Sequence, residues 1–213
     1  YDELPITENT VYVVDYPDMV QAEILMISKK GPFNKELLPY ASMYNEYFGG
    51  GMSGIVFQEM RESKALAYST FSSFTSPPRK DRSHYNIAYI GTQSDKLPEA
   101  ITGLLGLMTD MPVSENTFSA AKNNIIQKYN TERVTKSGIL NSYLSAQKLG
   151  LTGDIRKDVY DAVMKMSVED IQKFQQENVK DSKYTIMVLG DKNKLDIETL
   201  GKYGNVKYLT LEE

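Results

Sequence analysis

The chain has 213 residues, of which 41% are hydrophobic and 24% are charged, and its formal net charge is −4. This composition is typical of a globular domain, and the acidic balance argues against a nucleic-acid-binding domain, which usually presents a basic surface. The chain has no cysteine and one histidine, His84, which excludes disulfides, thiolate zinc sites, cysteine nucleophiles and metal sites built on two histidines within it.

Two strands and a helix are predicted for the first 50 residues. The strands lie within residues 10–28, on either side of a turn at Pro17 and Asp18. The second strand is apolar on both faces, with Val20, Ala22, Ile24 and Met26 on one and Leu25 and Ile27 on the other. Such a strand usually lies centrally in a covered sheet. A helix with Leu37, Ala41, Tyr44 and Phe48 at helical spacing follows, and it ends at Gly49, Gly50 and Gly51.

A short helix over about residues 53–62 and two strands, near residues 67–75 and 84–92, are predicted next. Ser94 or Asp95 is expected to cap the following helix. The buried stripe of that helix is formed by Leu97, Ile101, Leu104, Leu105 and Met108. Most of the predicted strands therefore lie in the first half of the chain.

The second half is mostly helical. Ser114 is predicted to begin a long helix, and further helices span about residues 137–149 and 156–164. Ser167 and Asp170 have the spacing of a capping box at the start of another helix.

Residues 183–190 predict a late, strongly apolar strand, with a small helix and strand behind it. The sequence shows neither a long flexible linker nor an internal repeat. The order of elements predicts one α+β domain over residues 1–213, in which a last strand returns to the sheet.

Two motifs near the glycines do not meet the requirements of the sites they resemble. Residues 49–54 contain a G-x-G-x-x-G pattern, but a helix precedes it and no acidic residue follows about 20 positions later, so no dinucleotide site is predicted. Residues 51–55 lack the closing glycine of a serine-hydrolase elbow.

A lone histidine such as His84 is more often a structural or surface residue than a metal ligand.

Three short segments carry a family resemblance: FGGGMS at residues 48–53, FQEMRE at 57–62 and LAYS at 66–69. Together they resemble the second, non-catalytic half of the pitrilysin/insulinase family of zinc metallopeptidases. The order of elements agrees over nearly the whole chain, and the specific motif covers about residues 44–76. The resemblance implies a two-layer α+β domain with a mostly antiparallel sheet covered by helices. It also implies either the C-terminal half of a longer chain or a separate subunit.

The catalytic half of that family carries H-x-x-E-H on its first long helix, with a more distant Glu as the third zinc ligand. Alignment on the glycine end of the helix places Tyr40, Met43 and Tyr44 at those positions. These side chains cannot do that chemistry at zinc. The resemblance therefore implies no cofactor in this chain and zinc in the partner half.

The resemblance also implies roles for Arg61 and Tyr68. Non-catalytic halves place an Arg and a Tyr seven residues apart against the active site of the partner half, and Arg61 and Tyr68 have that spacing. A guanidinium donates to a peptide carbonyl, and a phenol donates to the oxyanion that forms during hydrolysis. The residues alone also allow an exposed arginine at a helix end and a tyrosine that begins a core strand.

The glycine run has two interpretations. Consecutive glycines let the chain leave one helix and enter another within a few residues. In the related non-catalytic subunit of the mitochondrial processing peptidase, a glycine-rich loop contacts substrate, which implies the same for Gly49, Gly50 and Gly51.

We therefore predict a substrate-binding, chamber-forming domain of a zinc metalloendopeptidase, inactive alone. Its expected partners are a homologous zinc-bearing half, on the same chain or a separate subunit, and unfolded peptides, but neither nucleic acid nor membrane. The alternatives are a proteolytically inactive interaction subunit of the same fold and a stand-alone peptide-binding module. Peptide specificity and compartment are not indicated, and the bacterial cytoplasm and periplasm are both compatible with the sequence.

Overall fold

The structure is a computed structural model, and it describes residues 2–210. Its strands form one sheet in the order β3-β4-β2-β5-β1-β6. They are β1 (Thr10–Asp15), β2 (Gln21–Pro32), β3 (Ser69–Thr75), β4 (Ser83–Gln93), β5 (Thr185–Gly190) and β6 (Asn205–Leu209). Strand β1 runs parallel to β5 and β6, whereas the β2–β4, β2–β5 and β3–β4 pairs are antiparallel. The predicted α+β domain with a mostly antiparallel sheet is confirmed.

The helices follow the predicted order. They are α1 (Leu38–Tyr44), α2 (Ile55–Phe57), α3 (Leu97–Thr109), α4 (Glu115–Thr131), α5 (Lys136–Lys148), α6 (Arg156–Lys165), α7 (Val168–Asn178) and α8 (Ile197–Gly201). Helix α1 continues into a π-helical turn, Asn45–Gly49, and α2 continues into a second one, Gln58–Ser63. No helix within residues 2–210 is both long and apolar enough to cross a membrane.

The core lies between one face of the sheet and the helices. Alternate residues of β2 are buried on this face, as predicted for Ala22, Ile24 and Met26. Phe174 of α7 links the two layers, because its ring lies 5.4 Å from that of Tyr44 and 5.1 Å from that of Phe74. Aromatic packing therefore holds α1 and α7 on the sheet.

The opposite face of the sheet is open, which corrects the expectation of a covered sheet. Strand β2 is central, as predicted, but Leu25 is only half-buried. On the same face, Met187 pairs with Leu25, and Phe71 lies one strand beyond Tyr89, the other partner of Leu25; both Met187 and Phe71 are exposed. Val20 does not belong to the buried face, because β2 begins at Gln21 and Val20 is exposed.

One predicted helix cap is wrong. A 3₁₀ turn, Ser94–Lys96, precedes α3, and neither Ser94 nor Asp95 caps that helix. The hydroxyl of Ser94 instead donates to the carbonyl of Val20 at 3.2 Å, and so ties the turn before α3 to the residue before β2. The cap by Ser114 and the capping box of Ser167 with Asp170 are both present.

His84 is a core residue, as the structural interpretation requires. Its imidazole is buried and stacks on Phe33 and Phe74. Its Nε2 accepts from the Asn34 backbone N–H at 3.0 Å, and its Nδ1 lies 3.1 Å from the Thr75 carbonyl. These contacts suit a neutral ring that carries its proton on Nδ1.

Candidate functional site

The end of α1 is held against the outer edge of β3. The side-chain amide of Asn45 accepts from the Phe74 backbone N–H at 2.7 Å and donates to the Phe74 carbonyl at 3.0 Å. One turn later, Gly49 is buried so closely that a Cβ there would lie 1.7 Å from the Ser72 carbonyl oxygen. Only glycine fits at this position, so this part of the predicted glycine run has a packing role.

The rest of the glycine run is a surface loop. Gly51 has a φ of +69°, in the left-handed region that favours glycine, and no atom lies near the position of its missing Cβ. Gly50 is half-buried, and Met52 is strongly exposed. The Gln58 side chain donates to the Met52 carbonyl and folds this loop onto the second π-helical turn. The accessible part of the run is therefore centred on Gly51.

Arg61 lies in the π-helical turn that continues α2. Its side chain is 49% exposed, and its Nε lies 3.8 Å from a carboxylate oxygen of the equally exposed Glu62. Its guanidinium also lies 5.0 Å from the centre of the Phe57 ring. An exposed ion pair of this kind contributes little to stability, whereas stacking on an aromatic ring leaves the edge of a guanidinium available to donate.

Tyr68 directly precedes β3 and is held at both ends. Its backbone N–H donates to the Gly91 carbonyl at 2.9 Å, and its hydroxyl accepts from the Gln93 side-chain amide at 2.9 Å. The side chain is nevertheless 52% exposed. Tyr68 is therefore a fixed surface tyrosine rather than the core residue that a strand start would favour.

A tight connection joins the two candidate residues. In it Ala65 adopts a φ of +50°, and the Leu66 N–H donates to the Met60 carbonyl at 2.8 Å. Lys96 Nζ donates to the Ala65 carbonyl at 3.3 Å and ties the connection to the start of α3. Arg61 and Tyr68 therefore lie at the two ends of one braced segment.

Tyr68 also borders an open cleft of about 360 Å³. The cleft is lined by Val20, Gln21, Tyr68, Gln93, Ser94, Asp95 and Lys194. A larger cleft of about 480 Å³ lies between α4 and α6, and none of the predicted site residues lines it. Gln93 was missed by the sequence reasoning, since only the antiparallel register of Ser69 with Gly91 places it beside Tyr68.

The positions that correspond to the zinc motif belong to the core. Met43 and Tyr44 are buried, and Tyr40 stacks on Phe174 at 6.2 Å. Burial raises the pKa of the Tyr44 phenol above its ordinary value. Within residues 2–210, no group of three or more potential metal ligands comes together. These residues do not fit a zinc site.

The family follows from the sequence and the fold together. Residues 2–125 match the Peptidase M16 inactive domain, which is more than half of the chain. The chain therefore belongs to this family, the inactive domain of the pitrilysin-type peptidases, as the resemblance implied. The domain that it matches is the inactive one of this peptidase family.

Solved structures support the fold. The peptidase M16 inactive domain from Pseudomonas fluorescens superposes with a TM-score of 0.73 at 15% identity, over 87% of this chain and 44% of that one. A protease from Helicobacter pylori superposes with a TM-score of 0.71 at 18% identity, over 89% of this chain and 46% of that one. The periplasmic protease PqqL from Escherichia coli superposes with a TM-score of 0.64 at 14% identity, over 87% of this chain and 21% of that one. The chain spans less than half of each structure. A comparison with curated proteins gives no match.

Proposed function

We propose that the chain forms the wall of a peptidase chamber opposite a zinc-bearing homologous half, and that Arg61 and Tyr68 bind the peptide during cleavage. The observation that carries this proposal is the exposure of both side chains at the ends of one braced segment. The fold fixes the Tyr68 hydroxyl and stacks the Arg61 guanidinium, yet leaves both accessible. Side chains held in place at a surface are typical of binding sites.

Each residue has a distinct task in this proposal. The Arg61 guanidinium donates to a carbonyl of the bound peptide and holds its backbone in register. The Tyr68 hydroxyl donates to the oxygen on which negative charge develops during hydrolysis. Loss of one such donor typically lowers kcat by about 10²-fold or more. The partner half supplies the zinc and the general base.

Two uncovered apolar surfaces support the pairing. On α5, Ile139, Leu140, Tyr143 and Leu144 are 57%, 58%, 53% and 45% exposed, and their spacing places them on one stripe of the helix. Ala146 is the one buried residue of α5. The second surface is the open face of the sheet. Large apolar patches that remain exposed usually mark an interface with another protein surface.

The substrates in this proposal are unfolded peptides. Asn45 occupies both outward backbone groups of Phe74, so the outer edge of β3 is already closed at that residue. An extended peptide would instead meet the start of β3, beside Tyr68. We place the predicted glycine contact at Gly50 and Gly51, because Gly49 is buried.

The test uses the chain together with its zinc-bearing half and an unstructured peptide. The chain alone is expected to cleave nothing, and the pair is expected to show chelator-sensitive cleavage. Arg61→Ala should lower kcat/KM at least tenfold, whereas Arg79→Ala, which removes an exposed arginine from the loop before β4, should leave it unchanged. Equal activity of both variants would show that Arg61 takes no part in cleavage. Absence of cleavage by the pair would favour the alternative, a proteolytically inactive interaction subunit.

A further inference from the structure

The contact between Gln93 and Tyr68 is built on fixed backbone. Gln93 is the last residue of β4 and pairs with Gln21 of β2. The Tyr68 backbone is bound to Gly91, two residues earlier on the same strand. Nε2 of Gln93 then lies 2.9 Å from the Tyr68 hydroxyl oxygen. Neighbouring strands therefore set the position of the donor relative to the phenol.

A phenol has one proton to donate and an oxygen that accepts. An amide N–H of Gln93 occupies an acceptor site of the Tyr68 oxygen, so this contact does not use the Tyr68 proton. On its accessible side lies the cleft that Tyr68 and Gln93 both line. An accepted hydrogen bond also polarises a hydroxyl and strengthens it as a donor.

Tyr89, on the same strand as Gln93, shows the opposite arrangement. Its hydroxyl donates to a carboxylate oxygen of Glu23, so its proton is already used within the fold. Burial, together with the hydrogen bond and charge of Glu23, raises the pKa of Tyr89 to about 12. Of these two tyrosines, Tyr68 is the one whose hydroxyl proton is not taken by a carboxylate.

We propose that Gln93 is a positioning residue that directs the Tyr68 proton into the cleft, toward the oxyanion of the substrate. The inference rests on the proposed function, since it assigns Gln93 a task only if Tyr68 acts on the peptide. In this proposal Gln93 acts through Tyr68 and does not take part in the reaction itself. Its effect is to decide whether the Tyr68 hydroxyl donates outward or inward.

The decisive variant is Gln93→Glu, which keeps the shape and exchanges the donor for an acceptor. In the enzyme formed with the zinc-bearing half, the carboxylate should draw the Tyr68 proton inward. The expected result is a kcat at least tenfold lower with KM within about twofold of wild type. Gln93→Leu, which neither donates nor accepts, should lose less. In Tyr68→Phe, the further change Gln93→Glu should have no additional effect, because the proton to be directed is absent.

The contact is tested separately in the chain alone. Tyr68→Phe should shift the side-chain amide ¹H and ¹⁵N resonances of Gln93, and Tyr208→Phe should not. An unshifted Gln93 amide would overturn the inference. A wild-type kcat in Gln93→Glu, together with a lowered kcat in Tyr68→Phe, would also overturn it. If Tyr68→Phe is itself fully active, the proposed function fails, and the amide shift then reports a structural contact only.

Discussion

The side chain of Asn45 pairs with both backbone groups of Phe74, at 2.7 Å to the nitrogen and 3.0 Å to the oxygen. It thereby replaces a neighbouring strand at the edge of β3. Asn45→Ala leaves those two backbone groups without their partner. We expect a loss of about 1–3 kcal/mol in the free energy of unfolding, measured by urea denaturation. Asn123→Ala on the exposed side of α4 is the control, and an equal effect of both would contradict the assigned role of Asn45.

Gly49 should not tolerate a side chain. Because a Cβ would lie 1.7 Å from the Ser72 oxygen, Gly49→Ala must separate α1 from β3. We expect a loss of about 3 kcal/mol or more, as for other severe core strain, and a lower melting temperature by calorimetry. Gly106→Ala within α3 meets no neighbouring atom and should stabilise by up to about 1 kcal/mol. A loss of stability well below about 3 kcal/mol in Gly49→Ala would contradict the close packing of the helix end against β3.

His84 should make the fold less stable as pH falls below neutrality. Burial lowers the pKa of the His84 imidazole below its ordinary value, which is about 6.5 in an unfolded chain. Between those two values the unfolded state binds the proton more readily, so stability is full above about pH 6.5 and is lost as pH falls through the folded pKa.

His84 is the only histidine of the chain, so its ¹H resonance can be followed without ambiguity. We expect this resonance in the folded protein to titrate below pH 6.5. A midpoint at or above the ordinary value would contradict the buried, neutral ring.

The exposed stripe of α5 should be required for pairing. Leu140→Glu places a charge in a surface that we expect to be buried against the zinc-bearing half, and it should weaken binding at least tenfold. Ser142→Glu adds the same charge at an exposed polar position of the same helix and serves as the control. Binding is measured by calorimetric titration, with circular dichroism to show that both variants fold. Equal binding of the two variants would show that α5 is not part of the interface.

Local sequence patterns predicted most elements because their signals are short-range. The alternation in β2 and the Ser114 cap depend on neighbouring residues, and both are present. The Ser94 cap failed because its hydroxyl is used by Val20, which is distant in sequence. The open face of the sheet was missed for a related reason, since an apolar strand does not reveal whether its cover belongs to the same domain.

The site was only partly predictable. The spacing of Arg61 and Tyr68, together with the resemblance, pointed to both residues, but their exposure follows from the packing of α2 and β3. Gln93 lies 25 residues from Tyr68 and becomes its neighbour only through the β3–β4 register. The single contact that orients the Tyr68 hydroxyl therefore required the structure.

The central claim is tested most directly by the kinetics of Tyr68→Phe in the enzyme assembled with the zinc-bearing half. This change removes one hydroxyl and keeps the ring. We expect kcat to fall by about 10²-fold with little change in KM, because the lost interaction acts in the transition state. Tyr208→Phe, at a tyrosine of similar exposure on β6, should be fully active. Wild-type kcat in Tyr68→Phe would show that Tyr68 takes no part in catalysis and would contradict the proposed function.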